Sequence, residues 1–164
     1  MSDKHVLLES LLHEDLVFFD MPADSRDGLI RMMSGAAIEG GYAIEGYAED
    51  VIERENLYPT GLPTDVLKVA MPHAMVQDHV KNAAIVIARP AAPIIFKEMG
   101  DGVSDIPADI VFMLVAKGDK EHLAVLQRLV CVFAEPACMG HLASTRTPGE
   151  LIDVLVRLAS EVEV

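Results

Sequence analysis

The run DIVFMLVA at 109–116 places seven apolar residues in a row after Asp109, and it constrains the fold more than any other stretch. A continuous apolar run of strand length is buried on both faces, so the chain must build a sheet with cover on each side. Three shorter runs supply company: VLKVAM (66–71), ended by Pro72; AAIVIA (83–88); and IIF (94–96), reached through the turn-rich RPAAP. Gly118 is expected to end the long run.

Between and around these runs the spacing turns helical. Leu29, Met32, Met33, Ala36 and Ala37 recur at three- and four-residue intervals, and Gly40-Gly41 stops them. A short helix is expected over about 45–55 with Ala48, Val51 and Ile52 inward, followed by the Pro/Gly loop YPTGLP. Two more are expected. One covers about 120–133 with Leu123, Leu126, Leu129, Val130 and Phe133 on one face; the other covers about 147–158 with Leu151, Val154, Leu155 and Leu158 inward. Helices, then strands, then helices predict the α/β class: a mixed β-sheet flanked by helices on both sides. The length of 164 residues suits one core, so residues 1–164 are read as a single domain.

Composition narrows the partners. With 13 basic and 26 acidic side chains the formal charge is −13, the wrong sign for a nucleic-acid stripe or an anionic membrane surface. The N-terminal stretch carries Glu9, Glu14 and Asp15 and does not read as a signal peptide. No uncharged apolar stretch reaches spanning length, and Cys131 and Cys138 are too few for a disulfide framework. A cytoplasmic location is expected.

Of the six histidines, two fall at strand-to-loop or loop-to-helix junctions, where α/β sheets gather ligands. His73 follows VLKVAM and Pro72; His122 stands in the first turn of the helix after the longest run. His122 shares a helical face with Leu126, Leu129 and Phe133, which predicts an inward ring near free backbone N–H groups that favour an anion. Neutral imidazole is nucleophilic near pH 7 without a base, so His73 is a candidate phosphoryl acceptor. Read bottom-up, each residue keeps a plainer alternative. His73 is then a solvated loop residue, His122 a structural one, Arg54 an ion-pair partner of Glu53 or Glu55, and Thr60 a turn residue. His79 and His141 keep only the plain reading. No HxH, HExxH or CxxC spacing supports a metal, and no cofactor is expected.

VAMPHA (69–74), preceded by ERENLYPTGLP (53–63), resembles the active-site signature of phosphotransferase-system enzyme IIA domains of the fructose–mannitol type. The shared elements are Arg54-Glu55, Thr60-Gly61 and Pro72-His73, in that order. PTGLP, KEMGD (97–101) and EHLAVLQRLV (121–130) are most similar to the galactitol branch. The similarity runs from about residue 5 to 160. Many relatives carry Ile where Met71 stands and Gly where Ala74 stands.

The resemblance implies a phosphotransferase. It implies that His73 accepts a phosphoryl group from the phosphocarrier protein HPr and passes it to a cysteine of a sugar-specific enzyme IIB. His122 is then the second histidine against it, with Arg54 and Thr60 in support. A regulatory relative, whose phosphorylation state controls other proteins, is the alternative. CMGHLAST (138–145) has a faint likeness to an enzyme IIB cysteine loop, but it follows a helix instead of an apolar strand.

Overall fold

The computed structural model describes residues 3–117 and 120–162. Its elements run α1 (Asp3–Leu11), β1 (Leu12–Met21), α2 (Arg26–Glu39), α3 (Tyr47–Leu57), β2 (Val69–Ala70), β3 (Ala84–Pro90), β4 (Ile94–Lys97), β5 (Asp105–Ala108), β6 (Ile110–Val115), α4 (Lys120–Phe133), α5 (Pro136–Ala143) and α6 (Pro148–Glu161). Four strands form a mixed sheet of order β1-β3-β6-β2. β1 and β3 are parallel, β3 and β6 antiparallel, and β6 and β2 parallel. β4 and β5 form a separate antiparallel hairpin.

Alternation along the central strands divides the core in two. Ile85, Ile87, Phe112 and Leu114 face α1, α4, α5 and α6 through Leu8, Val125, Leu129, Leu142, Leu151 and Leu155. Val86, Ala88, Val111 and Met113 face α2 and α3 through Leu29, Met33, Ala37, Tyr47 and Val51. All six residues of β6 are buried, as a strand covered on both sides must be. Ser25 caps α2 by accepting from Gly28 N–H at 3.0 Å, and Thr147 caps α6 by accepting from Glu150 N–H at 3.3 Å. Each such cap is worth about 1 kcal/mol.

The expected architecture is present, with differences in detail. β1 was not anticipated, because Glu14 and Asp15 interrupt its apolar pattern. Pairing steps from Leu12↔Ile85 to Val17↔Ile87, so a bulge carries those two acids outward. The strand expected over 66–71 shrinks to Val69–Ala70. Before it, Val66 adopts φ +68 and Leu67 N–H bonds back to Asp65 C=O at 2.8 Å, a strained γ-turn that keeps 66–68 out of the ladder. α4 is turned somewhat from expectation: Leu129 and Phe133 are buried as expected, but Val125 and Val132 join them while Leu123 and Val130 are exposed. Likewise Met32 of α2 is exposed and Ile30 takes the buried place. α1, β5 and α5 are additions to the expected list, and Gly118 lies outside the described residues. No single helix among the described residues is long and apolar enough to cross a membrane.

Candidate active site

The site forms where three pieces of backbone meet at the carboxyl end of β6. Beyond β2 the chain continues beside β6, so that His73 bridges Leu114 in parallel and Leu114 N–H bonds to Pro72 C=O at 3.2 Å. α3 is tied to the same place, because the fully buried Tyr47 donates its hydroxyl to Leu114 C=O at 2.9 Å. Burial, then Asp50 nearby, pushes that phenol's pKa far up, so it stays protonated and remains a donor. α4 opens just beyond β6, at the same end of the sheet.

His73 is half-buried, and its Nδ1 lies 2.9 Å from Met71 C=O. A carbonyl only accepts, so Nδ1 carries the proton and Nε2 keeps its lone pair. Desolvation lowers the ring's pKa, the Met71 carbonyl opposes that, and the Arg54 guanidinium adds to the lowering. A neutral imidazole with an unprotonated Nε2 is the nucleophilic form.

Beneath it lies a group that the sequence reading treated only as a motif letter and an ion-pair partner. Glu55 is 1% exposed. It occupies the helical stripe Tyr47–Val51–Glu55, all three buried. That i, i+4, i+8 placement is the signal that marks it, since a charged residue on an apolar stripe needs a partner inside. The partner is Thr60. Its N–H donates to Glu55 Oε2 at 2.7 Å and its hydroxyl to Oε1 at 2.8 Å. The same hydroxyl oxygen accepts Met71 N–H at 3.1 Å. Burial raises the Glu55 pKa, and the Thr60 bonds and the nearby Arg26 and Arg54 charges oppose the rise.

Gly61 makes this loop possible. Its N–H bonds to Lys97 C=O at 2.9 Å and its C=O receives Met99 N–H at 2.8 Å. A Cβ there would sit 2.6 Å from the Lys97 oxygen, so the loop can zip to the hairpin only with glycine.

Arg54 does not pair with Glu53 or Glu55. Its Nη1 donates to Tyr58 C=O at 3.2 Å, and its guanidinium lies 5.6 Å from the Tyr58 ring centre. Burial lowers its pKa and Glu55 opposes that; an arginine stays charged regardless. Thr60 is 1% exposed, and its hydroxyl is engaged on both sides, by Glu55 Oε1 and by Met71 N–H. His122 stands in the first turn of α4, and its side chain lies outside the described residues. His79, six residues beyond His73, binds Asp50 instead, Nδ1 to Oδ2 at 2.5 Å. His141 is exposed on α5. Exposed apolar side chains, Tyr58, Met75 and Val76, flank the site in sequence.

Comparison with known proteins gives this arrangement its relatives. The sequence model of the phosphoenolpyruvate-dependent sugar phosphotransferase system EIIA 2 family matches residues 10–157. The mannitol-specific EIICBA component of Vibrio cholerae is 27% identical over 146 residues, covering 88% of this chain and 21% of the relative. The chain thus spans about a fifth of that protein's length. The galactitol-specific EIIA component of Escherichia coli strain K12 is 24% identical over 110 residues, covering 67% of this chain and 70% of the relative. The mannitol likeness is therefore the longer and the higher of the two, against the galactitol leaning of the loop spellings. In structure, the enzyme IIA mannitol–phosphorylated enzyme IIB mannitol complex of Escherichia coli superposes with a TM-score of 0.72 at 23% identity, covering 89% of this chain and 97% of the other. With a family match that takes in the sheet, both helical layers and the Pro72-His73 junction, the chain belongs to the EIIA type-2 family of the sugar phosphotransferase system.

Proposed function

We propose that the chain is a phosphocarrier of a sugar phosphotransferase system, with His73 as the residue phosphorylated by phospho-HPr and a cysteine of an enzyme IIB as the acceptor. The observation that carries this reading is the His73 ring, held through Nδ1 on the Met71 carbonyl with its pKa lowered. The Nε2 lone pair attacks the phosphorus of the donor phosphohistidine. One N–P bond forms, the donor's P–N bond breaks, and the Nδ1 proton stays in place, so no general base is needed. The second step reverses the roles: the His73 N–P bond breaks as the IIB thiolate forms its S–P bond.

Charge spreads over the equatorial phosphoryl oxygens in flight, and Arg54 supplies a fixed cation to receive it. His122 is assigned the same task from the start of α4. Thr60 supports the nucleophile from within. Sugar identity belongs to the partner components, with mannitol-like and galactitol-like polyols the substrates that the relatives' names favour.

The test mixes the protein with phosphoenolpyruvate, enzyme I and HPr and follows an acid-labile phosphate by mass spectrometry. Wild-type protein gains one phosphate and His73→Ala gains none; equal labelling of His73→Ala would end the assignment. His122→Gln is expected to accept phosphate and pass it to enzyme IIB about tenfold more slowly. Unchanged onward transfer removes His122 from the mechanism.

A further inference from the structure

We propose that Glu55 is a positioning residue for the transfer: through Thr60 and the Met71 backbone, its buried carboxylate sets the orientation and tautomer of His73. This rests on the reading of His73 as the phosphoryl acceptor and extends it to a residue that touches neither phosphate nor ring.

The argument follows the direction of each hydrogen bond. An ionised carboxylate only accepts, so Glu55 Oε1 forces the Thr60 hydroxyl to point its proton inward. That leaves a hydroxyl lone pair outward, and Met71 N–H fills it at 3.1 Å. The Thr60 N–H on Oε2 fixes the loop itself. Met71 is thereby pinned at its nitrogen and by its own side chain, which is 2% exposed. On its other side Pro72 restricts the chain to one φ, and Pro72 C=O is held by Leu114 N–H. Between these anchors the Met71 carbonyl has one direction left, and in that direction lies His73 Nδ1.

A neutral glutamine of the same shape would remove the logic. Its amide presents N–H donors to one of two groups that themselves donate, so either the Thr60 N–H loses its acceptor or the Thr60 hydroxyl must turn its proton away from residue 55, and the arrangement that aims Met71 is disturbed either way. Burial of a carboxylate is costly, and the ion pairs among the described residues do not include Glu55. An apolar residue on the Tyr47–Val51 stripe would serve packing alone at least as well. A carboxylate here satisfies two buried donors, the Thr60 N–H and the Thr60 hydroxyl, and by accepting from the second it fixes which way that hydroxyl points.

The experiment uses full-length protein and reads His73 by long-range ¹⁵N–¹H NMR, together with the rate of phosphate acceptance from phospho-HPr. Wild type is expected as the Nδ1–H tautomer. Glu55→Gln and Thr60→Val are each expected to mix in the Nε2–H tautomer and to slow acceptance about tenfold or more. Thr60→Ser, which keeps the hydroxyl, is expected to stay within about twofold of wild type. A merely structural role would lower the melting temperature without moving the tautomer. The proposal is overturned by a wild-type His73 in the Nε2–H form, a result that needs no variant to fold. It is overturned equally by folded variants that keep wild-type tautomer and rate. If instead His73→Ala still takes phosphate, the phosphocarrier reading itself fails, and the two outcomes are distinct.

Discussion

His73 and His79 are six residues apart on the same loop, and their surroundings make opposite acids of them. His73 meets a carbonyl, partial burial and a nearby arginine, and its pKa goes down. His79 meets the Asp50 carboxylate, with Asp78 and Glu49 adding to it, and its pKa goes up. Both rings use Nδ1, so the difference lies in the acceptor. A neutral acceptor holds a ring without charging it; a carboxylate holds it by charging it. The first leaves a ring in its neutral, nucleophilic form and the second makes a clamp, here between the loop after His73 and the helix α3 that carries Arg54 and Glu55. Even the fit is particular: a Cβ on Gly46, which starts α3 at φ +103, would lie 2.7 Å from His79 Nε2.

Removing charge from either surrounding tests the contrast. The largest effect is expected for Arg54→Met. Loss of the cation beside His73 should cut the rate of phosphate acceptance about a hundredfold, as loss of one preorganised transition-state donor does. The same variant should let the His73 pKa rise toward 6.5, so the acid limb of the rate profile moves to higher pH. A profile and rate identical to wild type would detach Arg54 from the site.

A smaller effect is expected at the clamp. Because the His79 pKa is raised in the folded protein, its stabilisation is fully present below the unfolded value near 6.5 and is lost as pH rises through the folded value. His73 has the opposite sign: its lowered pKa costs stability as pH falls below 6.5. Asp50→Asn should therefore bring the His79 titration down in NMR and lower the melting temperature at pH 5.5 while leaving that at pH 8.5 nearly unchanged. Phosphate acceptance by His73 should change by no more than about twofold, since the Asp50 carboxylate bonds His79 and takes no part in the hydrogen bonds that hold His73. A melting temperature that drops equally at both pH values would show that the pair acts by packing and not by charge.

The two histidines also show how far residue patterns reach. Both stand in one turn-rich stretch, PHAMVQDHV, and only the Pro-His junction distinguished His73. Asp50 lies 29 positions from His79 and was invisible as its partner. Glu55 was legible in principle, from the i, i+4, i+8 stripe with Tyr47 and Val51, yet its neighbour Arg54 drew the electrostatic reading instead. β1 escaped because a bulge placed two acids in the middle of a strand. The inward face of α4 was legible at Leu129 and Phe133 but not at Val125 and Val132, because several registers of its leucines and valines make a plausible stripe and only the docked helix selects among them.

What residue order alone determined is local: the β6 run that demands cover on both faces, the Pro72 lock before His73, and the motif that marks the family. These depend on neighbours within a few positions, where propensity and sterics act. Tertiary structure decided everything that needs two distant segments at hydrogen-bond range. It put the Glu55 carboxylate under Thr60, Thr60 under Met71, and His73 on a carbonyl rather than on an acid. A histidine's charge is set by what lies within a few ångströms of its ring, and spacing along the chain does not contain that distance.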